Sequence, residues 1–282
     1  MFKLIKKLEN ISIQVRRDVL RMIYYAKSGH PGGSLSATDM LVVLYFHIMN
    51  HSNKFSIDGI NEDIFFLSNG HISSLWYSVL ARCGYFPLEE LKTFRKINSR
   101  LQGHPTNAEE LPGIRISSGS LGQGLSVALG AALSKKINND KKIIYIMLGD
   151  GELQEGQIWE AAMFAAHYKI DNIISIIDCN GKQIDGNVDD IISLENLYYK
   201  WQSFGWNVVE IYKGNNIENI IIGVKYAKSL LGNNKPIVIL LKTQMGYGVD
   251  FMVDDHNWHG MSLNEIQIKK ALNQLKTDLK DY

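Results

Sequence analysis

Asp150 and Asn180 stand thirty positions apart, and each lies just past the end of a short apolar run, Ile143–Leu148 and Ile173–Ile177. Both runs are β-branched and bounded by polar or glycine residues, the pattern of buried parallel strands. Neighbouring strands lie about 4.8 Å apart, so an aspartate and an asparagine just beyond two strand ends can converge on one ion. A carboxylate with an amide oxygen suits a hard cation such as Mg²⁺, which prefers oxygen ligands and keeps phosphates as partners; Ca²⁺ or Mn²⁺ would accept the same donors. The turn Asn180-Gly181-Lys182 offers the Lys182 carbonyl as a third oxygen. Taken alone, Gly149-Asp150-Gly151 reads equally as a tight turn after a strand. Paired with Asn180 it points to a metal–diphosphate, with Gly149 and Gly151 admitting the phosphate close to the backbone.

Histidines form the second signal. Of eight, His30, His71, His104 and His259 adjoin a glycine, and none has metal-ligand spacing to another. A lone histidine is usually a packing residue, whereas a set in polar glycine turns suggests donors and proton shuttles around a hydroxylated ligand. His47 and His167 fall on helical stretches and read as structural; His256 stays open because it is close to His259. In Ser118–Gly124 (SGSLGQG), Gly119 and Ser120 offer backbone groups to a ligand ring and Leu121 an apolar contact, or the stretch is only a helix entry. Glu155 and Glu160 read either as functional acids or as solvated helix acids favoured by the macrodipole. Trp159, Met163, Phe164 and Tyr168 read as core.

These side chains need a scaffold. Between the two strands, Ile158, Ala161, Ala162 and Ala165 recur at helical spacing and make the connection a crossover helix. Residues 4–27 form an amphipathic helix with Leu4, Leu8, Ile11, Val15, Val19 and Met22 on one stripe. A glycine-rich turn at His30–Ser36 ends it, and a second helix runs to about His47. Further helices are expected over Ser73–Cys83, Leu88–Lys96, Gly122–Lys136 and Glu195–Gly205, a loop over Asn98–Ser120, and strands at Trp206–Tyr212 and Pro236–Lys242. The expected fold is α/β, a parallel sheet flanked by helices, with residues 1–282 as one domain.

Composition narrows the function classes. The chain is 45% hydrophobic and 21% charged with a net charge of +1, which gives a sizeable core and no nucleic-acid or acidic-membrane surface. No apolar stretch reaches the roughly 18 residues a membrane span needs. Cys83 and Cys179 have no zinc spacing, and the charged N-terminal stretch contains no signal-peptide core. A cytoplasmic location is the simplest expectation.

Seven segments occur in order: SGHPGGSLS, NGH, LQGHP, SGSLGQG, GDGELQEG, NGKQIDG and NWHG. Together they resemble the N-terminal part of transketolases, from about His30 to Gly260. The resemblance implies the thiamine diphosphate-binding fold, in its diphosphate-gripping half, and the chain looks like the N-terminal subunit of a split, two-chain transketolase. Asp150, Asn180 and the Lys182 carbonyl match the metal ligands. His71, Gly119, Leu121, Gly151 and Ile184 match positions lining the cofactor. His30, His104 and His259 match histidines that touch donor hydroxyls and move protons, His259 also lying near the diphosphate. Glu155 and Glu160 match acids in a network linking paired cofactor sites. Asn69 and Tyr247 depart from relatives that carry lysine, or lysine and arginine, at those places.

The implied reaction is transfer of a two-carbon ketol (glycolaldehyde) unit from a ketose to an aldehyde, both substrates phosphorylated. The resemblance also implies a partner, a C-terminal-type, pyrimidine-binding subunit, with two copies of each chain. Alternatives are a 2-oxo-acid dehydrogenase component or a 1-deoxyxylulose-5-phosphate synthase-like enzyme, which share the GDG…N pattern, or a non-catalytic binding paralogue. Neither enzyme is expected to combine His30, His104 and LQGHP.

Overall fold

The computed structural model describes all 282 residues, Met1–Tyr282. Its helices are α1 (Phe2–Ala26), α2 (Pro31–Ser36), α3 (Thr38–Val43), α4 (Ser73–Arg82), α5 (Gly124–Ile137), α6 (Gly156–His167), α7 (Val188–Ile191), α8 (Leu197–Ser203), α9 (Ile217–Ser229) and α10 (Glu265–Gln274). The strands are β1 (Ile64–Leu67), β2 (Ile144–Gly149), β3 (Ile173–Cys179), the short pair β4 (Lys182–Gln183) and β5 (Gly186–Asn187), β6 (Asn207–Ile211) and β7 (Ile237–Lys242). Five of them form one parallel sheet in the order β1-β2-β3-β7-β6, while β4 and β5 make a separate antiparallel hairpin.

Both faces of the sheet are covered, which is why its strands read as nearly unbroken apolar runs. Successive side chains point to opposite faces. Phe65, Tyr145, Met147, Ile174, Ile176 and Ile239 pack under α1, α3, α4 and α9. Phe66, Ile144, Ile146, Ile177, Val238 and Leu240 pack under α5 and α6, with Trp201 and Trp206 completing that side. The crossover helix α6 buries Ile158, Ala161, Ala162 and Ala165, the stripe expected from spacing. In β2–β3 pairing, Gly149 lies opposite Asp178, so Asp150 and Asn180 emerge together at the carboxyl edge.

Several expectations change. His30–Ser36 is not an open turn: helix α2 starts at Pro31, whose fixed φ suits a first helical position. Leu88–Thr93 is a 3₁₀ stretch rather than an α-helix. Met163, Phe164 and Tyr168 are not core. Met163 and Phe164, on the side of α6 turned from the sheet, and Tyr168, just past its end, are 56%, 40% and 53% exposed. No helix is long and apolar enough to cross a membrane.

Candidate active site

The carboxyl ends of β2 and β3 open into a cleft of about 320 Å³. Asp150 follows β2 and is buried. Its Oδ1 accepts from the Gly151 amide at 2.8 Å and its Oδ2 from the Gly181 amide at 2.6 Å. That second bond joins the Asp150 carboxylate to the turn carrying Asn180. Gly181 adopts φ +74°, a left-handed conformation that suits glycine, and lets the chain reverse directly after Asn180. The Asn180 Nδ2 donates to Asp178 at 3.0 Å, and its Oδ1 accepts from the Lys182 amide at 3.0 Å. Burial, reinforced by the nearby Asp178 carboxylate, pushes the Asp150 carboxyl up to about 7.

The four glycine-flanked histidines meet in the same cleft although each comes from a different segment. His30 caps the start of α2, His71 lies in the turn after β1, His104 in the long loop, and His259 in the 3₁₀ turn His256–His259. Ring centroids are 5.1 Å apart for His30–His71, 5.6 Å for His30–His259, 5.0 Å for His71–His259 and 6.3 Å for His30–His104. Burial lowers all four imidazoles, with mutual repulsion adding to it at His30 and His71, and His30 falls to about 4. Rings that are uncharged at neutral pH therefore surround the cleft. Gly119, at φ +123°, lies directly against His104: a Cβ there would come within 2.7 Å of the ring Cδ2.

Gly119, Leu121, Gly149, Gly151, Glu155, Lys182 and Ile184 also line the cleft. Two expected residues do not: Ser120 is exposed beside Leu121 and Glu160 is exposed farther along α6. His256, left open by the sequence, is half-buried at the start of the turn that carries His259 and does not line the cleft. His47 and His167 are exposed at helix ends.

Sequence reading misses Glu152 and Arg95. The buried Glu152 carboxylate accepts from the Ser68 hydroxyl after β1, from the Gly122 amide at 2.9 Å and from the Gly149 amide at 3.2 Å, so it ties three cleft-forming segments together. Arg95 donates to the Ser28 hydroxyl at 2.6 Å and the Gly103 carbonyl at 3.3 Å, joining the segments that carry His30 and His104. An acid directly after GDG and before the apolar Leu153 is the available clue to Glu152. Arg95 leaves none, since Ser28 is distant in sequence.

Residues 9–281 match the family described as the transketolase, thiamine diphosphate binding domain. The chain belongs to the transketolase family. It is 37% identical to an apulose-4-phosphate transketolase subunit from Actinobacillus succinogenes, covering 96% of this chain and 97% of the relative. Identity is 39% with a 6-deoxy-6-sulfo-D-fructose transketolase subunit from a Clostridium species, covering 96% and 98%. The Campylobacter jejuni transketolase structure superposes with a TM-score of 0.88 at 36% identity, over 96% of this chain but only 43% of that one. This transketolase domain thus spans subunit-type relatives end to end, and about two-fifths of that solved transketolase chain.

Its cleft fits thiamine diphosphate and a divalent cation. Asp150 is a buried carboxylate with only backbone amides as partners, so a dication beside it would favour the ionised form. Buried Asn69 Oδ1 and Ser118 Oγ have no hydrogen-bond partner in the same neighbourhood. No set of three His, Cys, Asp or Glu side chains could hold a metal. One carboxylate with amide and carbonyl oxygens suits a cation that completes its shell with water and phosphate.

Proposed function

We propose that the chain is the diphosphate-binding subunit of a two-chain transketolase, moving a two-carbon ketol unit from a phosphorylated ketose to an aldehyde. The observation that carries this reading is the meeting of Asp150, Asn180 and four neutral imidazoles in one cleft. End-to-end similarity to transketolases named as single subunits supports the two-chain arrangement. Residues 1–282 form one diphosphate-binding domain in this reading. It works in the cytoplasm, with two copies paired to two pyrimidine-binding subunits.

Thiamine diphosphate, when bound, supplies the carbon centre that accepts and passes on the two-carbon unit. The chain's residues bind, orient and move protons. Asp150 and Asn180, with the Lys182 carbonyl, hold Mg²⁺, or Ca²⁺ or Mn²⁺ in its place. Gly149 and Gly151 let backbone approach the diphosphate, with His71 and His259 beside it. Gly119, Leu121 and Ile184 bound the ring side. His30 and His104, uncharged at neutral pH, accept a hydroxyl proton from the donor and return it, each step contributing roughly 10²–10⁴-fold when well placed. Glu155, exposed at the cleft rim, faces outward as an acid linking to a second cofactor site.

Purified chain, candidate partner and their mixture, each with thiamine diphosphate and Mg²⁺, are assayed with a ketose phosphate and an aldehyde. Ketol transfer is expected only in the mixture. Robust transfer by this chain alone would overturn the split arrangement, and turnover of a 2-oxo acid without ketose turnover would overturn the reaction class.

A further inference from the structure

Asp178, the next-to-last residue of β3, is buried and lines the cleft, and its carboxylate gathers donors from α2, the Asn180 turn and the segment after β7. Its Oδ2 accepts from the Ser36 hydroxyl at the end of α2 and from Asn180 Nδ2 at 3.0 Å; its Oδ1 accepts from the Thr243 hydroxyl after β7. The Asn180 amide has two unlike ends. Its NH₂ end only donates, and it is turned to Asp178 and, at 3.3 Å, to the Ser36 hydroxyl oxygen. Its oxygen end faces the other way and takes the Lys182 amide at 3.0 Å, with a second lone pair left over.

We propose that Asp178 is a positioning residue that holds the Asn180 amide in the one orientation presenting oxygen, and not NH₂, to the cleft cation. The inference rests on the cofactor reading above and names a residue that the metal-ligand pattern does not contain. Loss of the Asp178 acceptor leaves the NH₂ end only the Ser36 hydroxyl oxygen at 3.3 Å and weakens the preference against a turned-over amide, which would aim two partly positive hydrogens at the cation. The role is that of an acceptor oxygen, not of a charge. Partners that orient a metal ligand typically matter by 10–100-fold in metal affinity.

Mn²⁺ binding in the presence of thiamine diphosphate, followed by electron paramagnetic resonance and calorimetry on the full chain with its partner, separates the possibilities. Asp178→Val, which suits a strand but has no acceptor, is expected to weaken Mn²⁺ binding at least about tenfold. Asp178→Asn keeps an acceptor without the charge and is expected to stay within about threefold of the parent. Adding Asn180→Asp to Asp178→Val is expected to restore binding, because a carboxylate shows an oxygen whichever way it turns. Equal loss in Asp178→Val and Asp178→Asn would assign the effect to charge and overturn the proposal. If Asp178→Val does not fold, Asp178→Ala takes its place as the acceptor-free variant, and a tenfold loss in Asp178→Asn refutes the proposal in either case. A parent protein that binds no Mn²⁺ removes the cofactor reading and this inference with it.

Discussion

His30 illustrates how burial can suit a side chain to chemistry. An ordinary histidine is substantially charged below about 6.5, but this one stays neutral down to about 4 because it is buried among His259, Arg95 and His104. His30→Asn is expected to lower ketol transfer roughly 10²–10⁴-fold while leaving thiamine diphosphate affinity nearly unchanged, as steady-state rates and calorimetry will show. Stability is linked to the same depression. The unfolded chain takes up protons below about 6.5 that the folded His30 refuses until about 4, so its contribution is complete above that window and lost as the pH falls through it. Asp150 has the opposite sign: raised to about 7, it makes the ligand-free fold relatively more stable as the pH drops below that value. Melting temperatures from pH 7 to pH 4.5 are therefore compared between the parent and His30→Asn. The parent is expected to lose stability more steeply, and parallel curves would show that His30 titrates normally.

Secondary elements bring these residues together, and they are unevenly legible in the sequence. The strand ends beside Asp150 and Asn180 stand out because long β-branched runs stop abruptly at polar residues. Strand β1, only Ile64–Leu67, is too short to separate from a buried turn, although His71 depends on it for placement. Helix α9 escapes the sequence reading too, despite Ile217, Ile220, Ile221 and Val224 at helical spacing. The outer side of α6 misleads because its aromatics look like core until the buried stripe is assigned. The four histidines can be recognised as a set from their glycine neighbours, but their convergence depends on distant contacts such as Gly119 against His104. Gly119→Ala would force a Cβ into that ring at a strained backbone angle, costing about 1–3 kcal/mol. Donor turnover is expected to fall more than cofactor binding, measured as kcat/KM against calorimetric affinity. Glu152→Ala strands the Ser68, Gly122 and Gly149 donors in the interior and is expected to cost roughly 3 kcal/mol in urea unfolding. A loss below about 0.5 kcal/mol would mean that those segments hold one another without it.

At the scale of the molecule, the cleft has a floor and one wall. Asp150, buried, and Asn180, half-buried, provide a floor at the sheet edge, while Ile184 at the ring side is 61% exposed and Glu155 at the rim faces solvent. A cofactor bound here would bury its diphosphate end and leave its ring end in water, giving up the apolar burial that tight binding draws on. A pyrimidine-binding partner would supply the missing wall. Since the partner and the cofactor would then favour the same assembled state, each must strengthen the other's binding by the same factor. Calorimetry of thiamine diphosphate with Mg²⁺ on this chain alone is expected to give an affinity at least about tenfold weaker than on the assembled pair, a coupling of about 1.4 kcal/mol. The partner's affinity for this chain should rise by the same factor when cofactor and cation are present, which analytical ultracentrifugation can read independently. Equal cofactor affinity with and without the partner would mean that this chain forms the whole binding surface by itself, and that a second subunit contributes only to catalysis.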